Sequence, residues 1–466
     1  MIRLDPAGEG TLQARLYRTL RFYIARGILA AGARLPASRV LSEDLGISRN
    51  TVTATLEQLA ADGWVEARRG SGVYVSRVVV PGEHKATHHA VLRDGPDMLP
   101  FDVGPPGLDF FPLDAWRRIQ ARRWGAMSRS AMREGASAGY SELRRTIAEH
   151  MWIARGLPCT PDQVFITQSI RTGLDLVLRA LAKPGDDVWI EDPGYFGSKA
   201  LIEAAHLRPI PVPVDEQGLD VAAGRLASPG ARMALVTPQC QFPTCVSLST
   251  SRRTALLEWA KQANAWIFED DYDAEYRFDQ EASLPLAAEP GGERVIYAHS
   301  FNKSLFPALR MGFLIVPTAL VETLALLRSR IDGYPSVPNQ MVLCDFIEEG
   351  WLDTHLRSCR VAYRERRAVM FDEVAPRLAP WLHFEPNAAG LHVVARLEPS
   401  LDPQELVLRA REKGIELTPM AMLSEQPHRE RGILLGFAGY TPSQLVRAAD
   451  KLAALISQLA GSRTPY

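Results

Sequence analysis

The sequence predicts a multidomain chain: a small helix-turn-helix module with a β wing, followed by a much larger α/β domain. Three observations carry that expectation. Helical segments joined by a tight glycine turn precede a glycine-tipped hairpin, all before residue 78. Beyond them, short continuous apolar runs alternate with amphipathic helices, the pattern of a mainly parallel sheet buried on both faces. Charge is also uneven. Residues 11–77 hold ten arginines, no lysine and five acids, a net of +5, while the whole chain carries −1, so the remainder carries −6. A basic module on a mildly acidic body points to nucleic acid at one end and a different partner at the other.

A length of 466 residues exceeds what one small core can organise, and 46% hydrophobic with 23% charged residues is an ordinary globular balance. Cys159, Cys240, Cys245, Cys344 and Cys359 form no C-x-x-C pair and no zinc spacing, so they read as reduced thiols and no metal is expected. The opening "MIRLDPAGEG" lacks an apolar signal core, and no run of eighteen apolar residues occurs. The expected location is cytoplasmic, with no membrane partner.

In the N-terminal module, Leu12, Leu16, Leu20 and Ile24 recur at helical spacing in "TLQARLYRTLRFYIARGIL". Ser38 is expected to cap a second helix, "RVLSEDL", which Gly46 ends, and Ser48 to cap a third, "RNTVTATLEQLAADG". The first turn of that third helix offers Arg49, Asn50, Thr51 and Thr53, donors and acceptors suited to phosphates and base edges in a major groove. "WVEARRGSGVYV" reads as a hairpin whose basic tip (Arg68, Arg69, Gly70, Gly72) suits a minor groove. A protein-binding three-helix domain with solvated arginines is the alternative reading of the same pattern.

The stretch "GARLPASRVLSEDLGISRNTVTATLEQLAADGWVEARRGSGVYVS" resembles the winged helix-turn-helix of the GntR regulator family, matching its pattern from Leu35 and Pro36 through Gly70, Gly72 and Val75. The resemblance implies binding to double-stranded DNA. Arg39 and Arg49 would hold phosphate or guanine, Thr51 would sit at the groove, and Arg34, Ser38, Ser48, Asn50, Thr53, Arg68, Arg69, Gly70 and Gly72 would complete the contact surface. The module is bounded at residues 8–77 and followed by a linker at 78–100, where periodicity is lost and Pro, Gly, Asp and His accumulate. His84, His88 and His89 read as solvated linker residues rather than metal ligands.

From residue 101 to 464, "DDVWIED", "LRPIPVPV", "RMALVTP", "AWIFEDD", "ERVIYAHS" and "RMGFLIVP" are the expected strands, with helices such as "SRRTALLEWAKQAN" between them. Ligands in such sheets sit beyond the carboxyl ends of the strands. Asp270 lies in the acidic end of one run; Ser300 and Lys303 end another, and Arg310 follows. Paired carboxylates at such a place also suit general acid–base work or Mg²⁺. Together, however, the lysine, aspartate and arginine match pyridoxal 5′-phosphate (PLP). That cofactor needs an amine for its aldehyde, an anion beside its ring nitrogen and an arginine for its phosphate.

"FDVGPPGLDFFPLDAWRR", "KPGDDVWIEDPGYFG", "VTPQCQFPT", "IFEDDYDAEYRF" and "FNKSLFPALRMGFLIVP" resemble fold-type I aminotransferases, and more narrowly the MocR subfamily of GntR regulators. The implied fold is an α/β PLP-dependent transferase of fold type I, with a large subdomain at about 150–345 and a small C-terminal α+β subdomain at about 346–464. By the same resemblance Lys303 is the Schiff-base lysine and Asp270 the partner of the pyridine nitrogen. Tyr272 lies near the ring hydroxyl, Tyr195 stacks on the ring, and Ser300, Arg310 and the helix start at Ile170 and Arg171 bind phosphate. A head-to-tail homodimer is also implied.

The pattern departs from the family at four places. Ser169 replaces a glycine in the phosphate turn, Glu134 replaces a tyrosine, Cys240 and Cys245 replace a histidine and a glycine, and Leu434 stands where an arginine commonly clamps a substrate carboxylate. Without that clamp efficient transamination is not expected. The reading is a PLP-binding transcription regulator that senses PLP, an amine or an amino acid as effector. The alternatives are a working aminotransferase with an appended DNA-binding domain and a DNA-binding architectural protein without cofactor.

Overall fold

The computed structural model describes residues 11–25, 28–68, 71–76, 98–129, 132–273, 275–278, 283–387, 389–425 and 431–461. Arg69, Gly70 and the linker histidines His84, His88 and His89 lie outside the described residues. The chain divides into two units, Met1–Pro96 and Asp97–Tyr466.

In the first unit, α1 spans Leu12–Ala25, α2 Ser38–Leu45 and α3 Arg49–Ala61. Leu16, Leu20 and Ile24 are buried as their spacing requires, but Leu12 is exposed, because it opens the helix before the stripe meets the core. Ser38 does not cap α2. The cap position is Ala37, with no side-chain hydrogen bond, and Ser38 is already helical. Gly46 ends α2 at φ 62°, a left-handed conformation that glycine adopts at no steric cost. Ser48 does cap α3, its side chain accepting from the Thr51 N–H at 3.1 Å. Strands β1 (Val65–Arg68) and β2 (Gly72–Val75) pair antiparallel, Arg68 opposite Gly72. The segment before α2 adds to β2: Leu35 N–H donates to the Val73 carbonyl and Val75 N–H to that of Ala33, both at 2.9 Å. One core joins all of this, with Leu16, Leu20, Leu41, Val52, Leu59 and Val75 among its buried members.

The second unit contains an eight-stranded sheet. Its strands are β3 (Val164–Thr167), β4 (Asp187–Asp192), β5 (Arg208–Asp215), β6 (Gly218–Leu219), β7 (Met233–Val236), β8 (Trp266–Asp271), β9 (Val295–Ser300) and β10 (Gly312–Ile315). Their order is β3-β10-β9-β8-β7-β4-β5-β6. The five central strands from β9 to β5 are parallel; β10 runs antiparallel to both β9 and β3. All six apolar runs picked out in the sequence are strands of this sheet. Burial on both faces explains why β7, β9 and β10, which have no exposed residue, read as continuous apolar runs, whereas β5 keeps four exposed positions.

A smaller antiparallel sheet follows, made of β11 (Leu382–Phe384), β12 (His392–Leu397), β13 (Thr418–Pro419) and β14 (Gly432–Gly436), in the order β11-β12-β14-β13. The helices Trp351–Val369 and Pro442–Gly461 belong to the same part of the chain. The segment at 99–104 is stapled to it. Gly436 N–H donates to the Phe101 carbonyl at 2.8 Å and Tyr440 Oη to that of Leu99 at 2.5 Å. A Cβ at Gly436 would fall 2.0 Å from the Asp102 carbonyl oxygen, so only glycine permits this approach. The staple carries Gly104 to the short helix Phe301–Ser304 that follows β9 of the larger sheet.

Candidate cofactor site and nucleic-acid face

The first unit presents a basic face built on α2, α3 and the hairpin. Arg34, Arg39, Arg49, Asn50 and Thr53 are exposed, as is Ser48, whereas Ser38 is half-buried. Arg39 meets Glu43 at 3.3 Å, but with side chains 80% and 67% exposed the pair contributes well under about 1 kcal/mol and leaves Arg39 able to turn to a phosphate. Thr51 is less available: it is half-buried, and its Oγ1 shares a 2.8 Å hydrogen bond with Ser48 Oγ. Arg68 pairs with Glu66 and lies 4.5 Å over the Tyr74 ring. Gly72, at φ 114°, leaves room for the Arg34 guanidinium, whose Nε would stand 3.0 Å from a Cβ there.

In the second unit the acids ending β8 are sorted by the alternation of a strand. Glu269 accepts the N–H groups of Leu286 and Ala287, at 2.9 and 3.1 Å. Asp271 pairs with Arg155 at 2.7 Å and accepts from Tyr297 Oη at 2.7 Å. Asp270, between them, points to the other face, and its buried Oδ1 has no hydrogen-bond partner. Burial, with Asp271 and Glu191 nearby, pushes its carboxyl up to about 8. A buried acceptor left this way calls for a donor. The first and third acids are therefore tied to the surrounding fold, each through at least one carboxylate oxygen.

Lys303 lies in the short helix Phe301–Ser304 directly after β9, the neighbour of β8. Its amine donates to the Gly104 carbonyl on the stapled segment. Burial holds the ammonium below the usual lysine range, against the opposite pull of Asp273 and Asp102. Burial of this kind favours a neutral, nucleophilic amine.

The expected phosphate ligands gather through strand register. Gly312 stands opposite both Ser300 and Thr167, and α4 (Ile170–Leu181) begins three residues beyond Thr167. Thr167 Oγ1 is buried without a partner. Ser169 caps α4, accepting from Thr172 N–H at 3.1 Å, with φ −173°, extended backbone that any residue adopts. Serine therefore replaces glycine without deforming the turn, and the N–H groups of Ile170 and Arg171 lie in the first turn of the helix, where no intrahelical carbonyl takes them. Arg171 and Arg310 are exposed on this side, the latter at φ 52° in the turn before β10. Ser300 Oγ accepts from Asn302 N–H at 3.2 Å. Tyr195, 39% exposed, precedes the helix Phe196–Ala204, with its ring 6.1 Å from that of Phe242. Phe242 in turn lies 6.3 Å from Tyr272, whose Oη faces Cys240 Sγ at 3.9 Å.

Of the departures, Glu134 is exposed and Cys245 occupies a left-handed φ of 61°, which a glycine would take without strain. Leu434 is fully buried, packed with Val394, Met420 and Leu423 and against Val103 and Phe242. Arg431 does not replace the missing cation, since its guanidinium donates to the Leu401 and Pro399 carbonyls, at 2.6 and 3.2 Å. Sequence reasoning missed Asp102, Gly104, Thr167, Glu191 and Asp273. Each lies in or beside a stretch already conspicuous, but spacing carries no sign that they converge. All five cysteines are free. Among the described residues no His, Cys, Asp or Glu cluster suits a metal, and no helix is long and apolar enough to cross a membrane.

This geometry is that of a winged helix-turn-helix joined to an aminotransferase fold. Residues 96–452 match the aminotransferase class I and II family, and residues 12–75 the bacterial regulatory proteins of the gntR family. The large unit is similar to Thermus thermophilus LysN, an α-aminoadipate aminotransferase solved with N-(5′-phosphopyridoxyl)-L-leucine. The TM-score is 0.71 at 25% identity, covering 78% of this chain and 93% of that one. Over nearly its whole length the chain is similar to the probable rhizopine catabolism regulatory protein MocR of Rhizobium meliloti, 34% identical over 97% of this chain and 95% of that protein. The pyridoxine biosynthesis transcriptional regulator PdxR of Corynebacterium glutamicum is 31% identical over 95% and 96%. The chain belongs to the MocR subfamily of GntR-type regulators, a DNA-binding module fused to an aminotransferase-class domain.

Proposed function

We propose that this regulator holds PLP in its large unit and reads a small effector through it: PLP itself, an amine or an amino acid. The observation that carries the reading is the buried, unpartnered Oδ1 of Asp270 on β8, beside the strand β9 that leads into the short helix holding the Lys303 amine. When bound, PLP supplies an aldehyde that takes a primary amine and a ring that draws electrons from the attached carbon. Lys303 offers the amine and Asp270 holds the proton on the ring nitrogen. The Ile170 and Arg171 N–H groups, Ser300 and Arg310 bind the phosphate. Tyr195 covers the ring, and Tyr272 donates to its hydroxyl. The apolar burial of Leu434 weighs against efficient transamination, because no cation there holds a substrate carboxylate.

On the DNA side, Arg34, Ser38, Arg39, Ser48, Arg49, Asn50, Thr51, Thr53 and the wing around Arg68, Arg69, Gly70 and Gly72 meet the duplex. Two chains act as a head-to-tail homodimer in the cytoplasm, one winged module per half-site. An effector signals only by binding one dimer arrangement better than another. Gel shift on the protein's own upstream DNA at fixed salt, with and without PLP and candidate amines, tests the reading. The expected result is a PLP- or amine-dependent change in affinity or mobility, lost on Lys303→Ala; an unchanged response in that variant refutes it.

A further inference from the structure

We infer that the second unit holds a further binding site, on the face of the large sheet opposite Asp270, for a small uncharged hydroxy compound with an apolar side. The site stands apart from the cofactor reading.

Register sorts the side chains of β8, β9 and β10 onto two faces. Asp270 pairs with Ala298 and Ser300 with Gly312, and by alternation these share the face of the candidate cofactor site. Asp271, His299 and Phe313 stand together on the other face. A cavity of about 300 Å³ lies on that second face, lined also by the helices Ser141–Arg155 and Trp351–Val369. None of the residues assigned to PLP lines it, but Phe301 and Ser304, from the short helix that carries Lys303, do. Its inner wall is apolar and buried, made by Ile147, Met151, Phe301, Phe313, Leu352 and Leu356. Two polar atoms beside that wall have no hydrogen-bond partner. Ser304 is 1% exposed and its Oγ is unbonded, as is the buried Oε2 of Glu275. Leaving such atoms unpaired is costly, and a group that bonds them removes the penalty. Water alone suits the space poorly, since it finds no partners along the apolar wall.

The ionic groups around the cavity are already matched. Arg155 pairs with Asp271 at 2.7 Å. His299 Nδ1 donates to the Asp271 carbonyl at 2.9 Å, and its Nε2 stands 3.2 Å from Glu275 Oε1. That spacing sets a lone pair against a carboxylate unless one proton lies between them, and with it the pair is neutral overall. Burial holds the His150 imidazole below its usual range, so it is uncharged at neutral pH. Arg277 donates to the Gln239 carbonyl at 3.0 Å and to its Oε1 at 3.1 Å, while Asp353 and Arg360, both exposed, offset each other at the rim. An ammonium or carboxylate inside would therefore bring an unmatched charge, at a desolvation cost that a hydroxyl does not incur. One hydroxyl donates to Glu275 Oε2, a second bonds Ser304 Oγ or the His150 ring, and the carbon side packs on the apolar wall. The volume is at the low end for ligand cavities and suits a single ring.

The test uses the full-length protein and resorcinol, which carries two hydroxyls on one ring and no amine for the cofactor's aldehyde. Calorimetry and saturation-transfer NMR compare it with its dimethyl ether, which accepts but cannot donate, and with benzamidine and benzoate. Resorcinol is expected to bind equally with and without PLP, and about tenfold or more tighter than the other three. Ala154→Trp, at an exposed position in the lining, is expected to abolish binding. Ser304→Ala removes a single oxygen and is expected to weaken binding by about threefold to tenfold. Melting temperatures establish that the variants fold, and either one alone decides the location if the other does not. No resorcinol binding, binding untouched by the substitutions, an ether or ion that binds as tightly, or displacement of resorcinol by PLP each overturns the inference.

Discussion

At the scale of single residues, Lys303 and Asp270 carry the most exposed predictions. Lys303→Ala is expected to abolish PLP trapped by borohydride reduction, as read by intact mass; covalent cofactor remaining in the variant assigns the linkage elsewhere. For Asp270 the direction follows from its titration. An ordinary aspartate titrates near 3.8, but here the group titrates near 8, so the folded, cofactor-free protein keeps a proton that the unfolded chain releases. The stability this group contributes is present below about pH 4 and is lost as the pH rises through about 8. Asp270→Asn cannot titrate. Without cofactor the variant is expected to melt above its parent, the gap widening from about pH 4 to pH 8 by roughly 2–4 °C per kcal/mol, while its PLP affinity falls. A gap that is flat across that range contradicts the buried, protonated state.

At the scale of elements, helix starts do much of the work at both sites. Ser48 caps α3 and Ser169 caps α4, but only the first was legible as a cap, from a serine just before a helical pattern. Ser38 looked equally suitable, yet its backbone is helical and Ala37 takes the cap position. The difference lies in φ/ψ, which a local sequence signal does not fix. Ser48→Ala is expected to cost the winged unit about 1 kcal/mol, measured by its unfolding midpoint, and to free Thr51 from its hydroxyl partner. The apolar runs of the large sheet were legible because burial on both faces leaves a continuous signal. The antiparallel direction of β10 was not, since hydrophobicity is the same whichever way a buried strand runs. That direction shapes the candidate site, because it sets Gly312 opposite both Ser300 and Thr167, with Arg310 two residues before it.

At the scale of the whole molecule, the two units divide the chemistry. Arg49→Ala is expected to weaken operator binding and lower the salt slope of log K by about 1, read by titration at several salt concentrations, with the visible absorbance of bound PLP unchanged. Loss of that absorbance in Arg49→Ala would show that the basic face and the cofactor site are not separable. What the sequence alone determined were those properties that local pattern encodes: two units of opposite charge, the helix periodicities, the buried strands, and the residues standing just past strand ends. The tertiary structure alone decided which carboxylate of Glu269, Asp270 and Asp271 lacks a partner, and that a segment at 99–104 delivers Asp102 and Gly104 to Lys303 across some two hundred residues of chain. Hydrogen-bond satisfaction and electrostatic environment depend on what lies opposite in space, and residues so far apart share no local pattern from which that juxtaposition can be read.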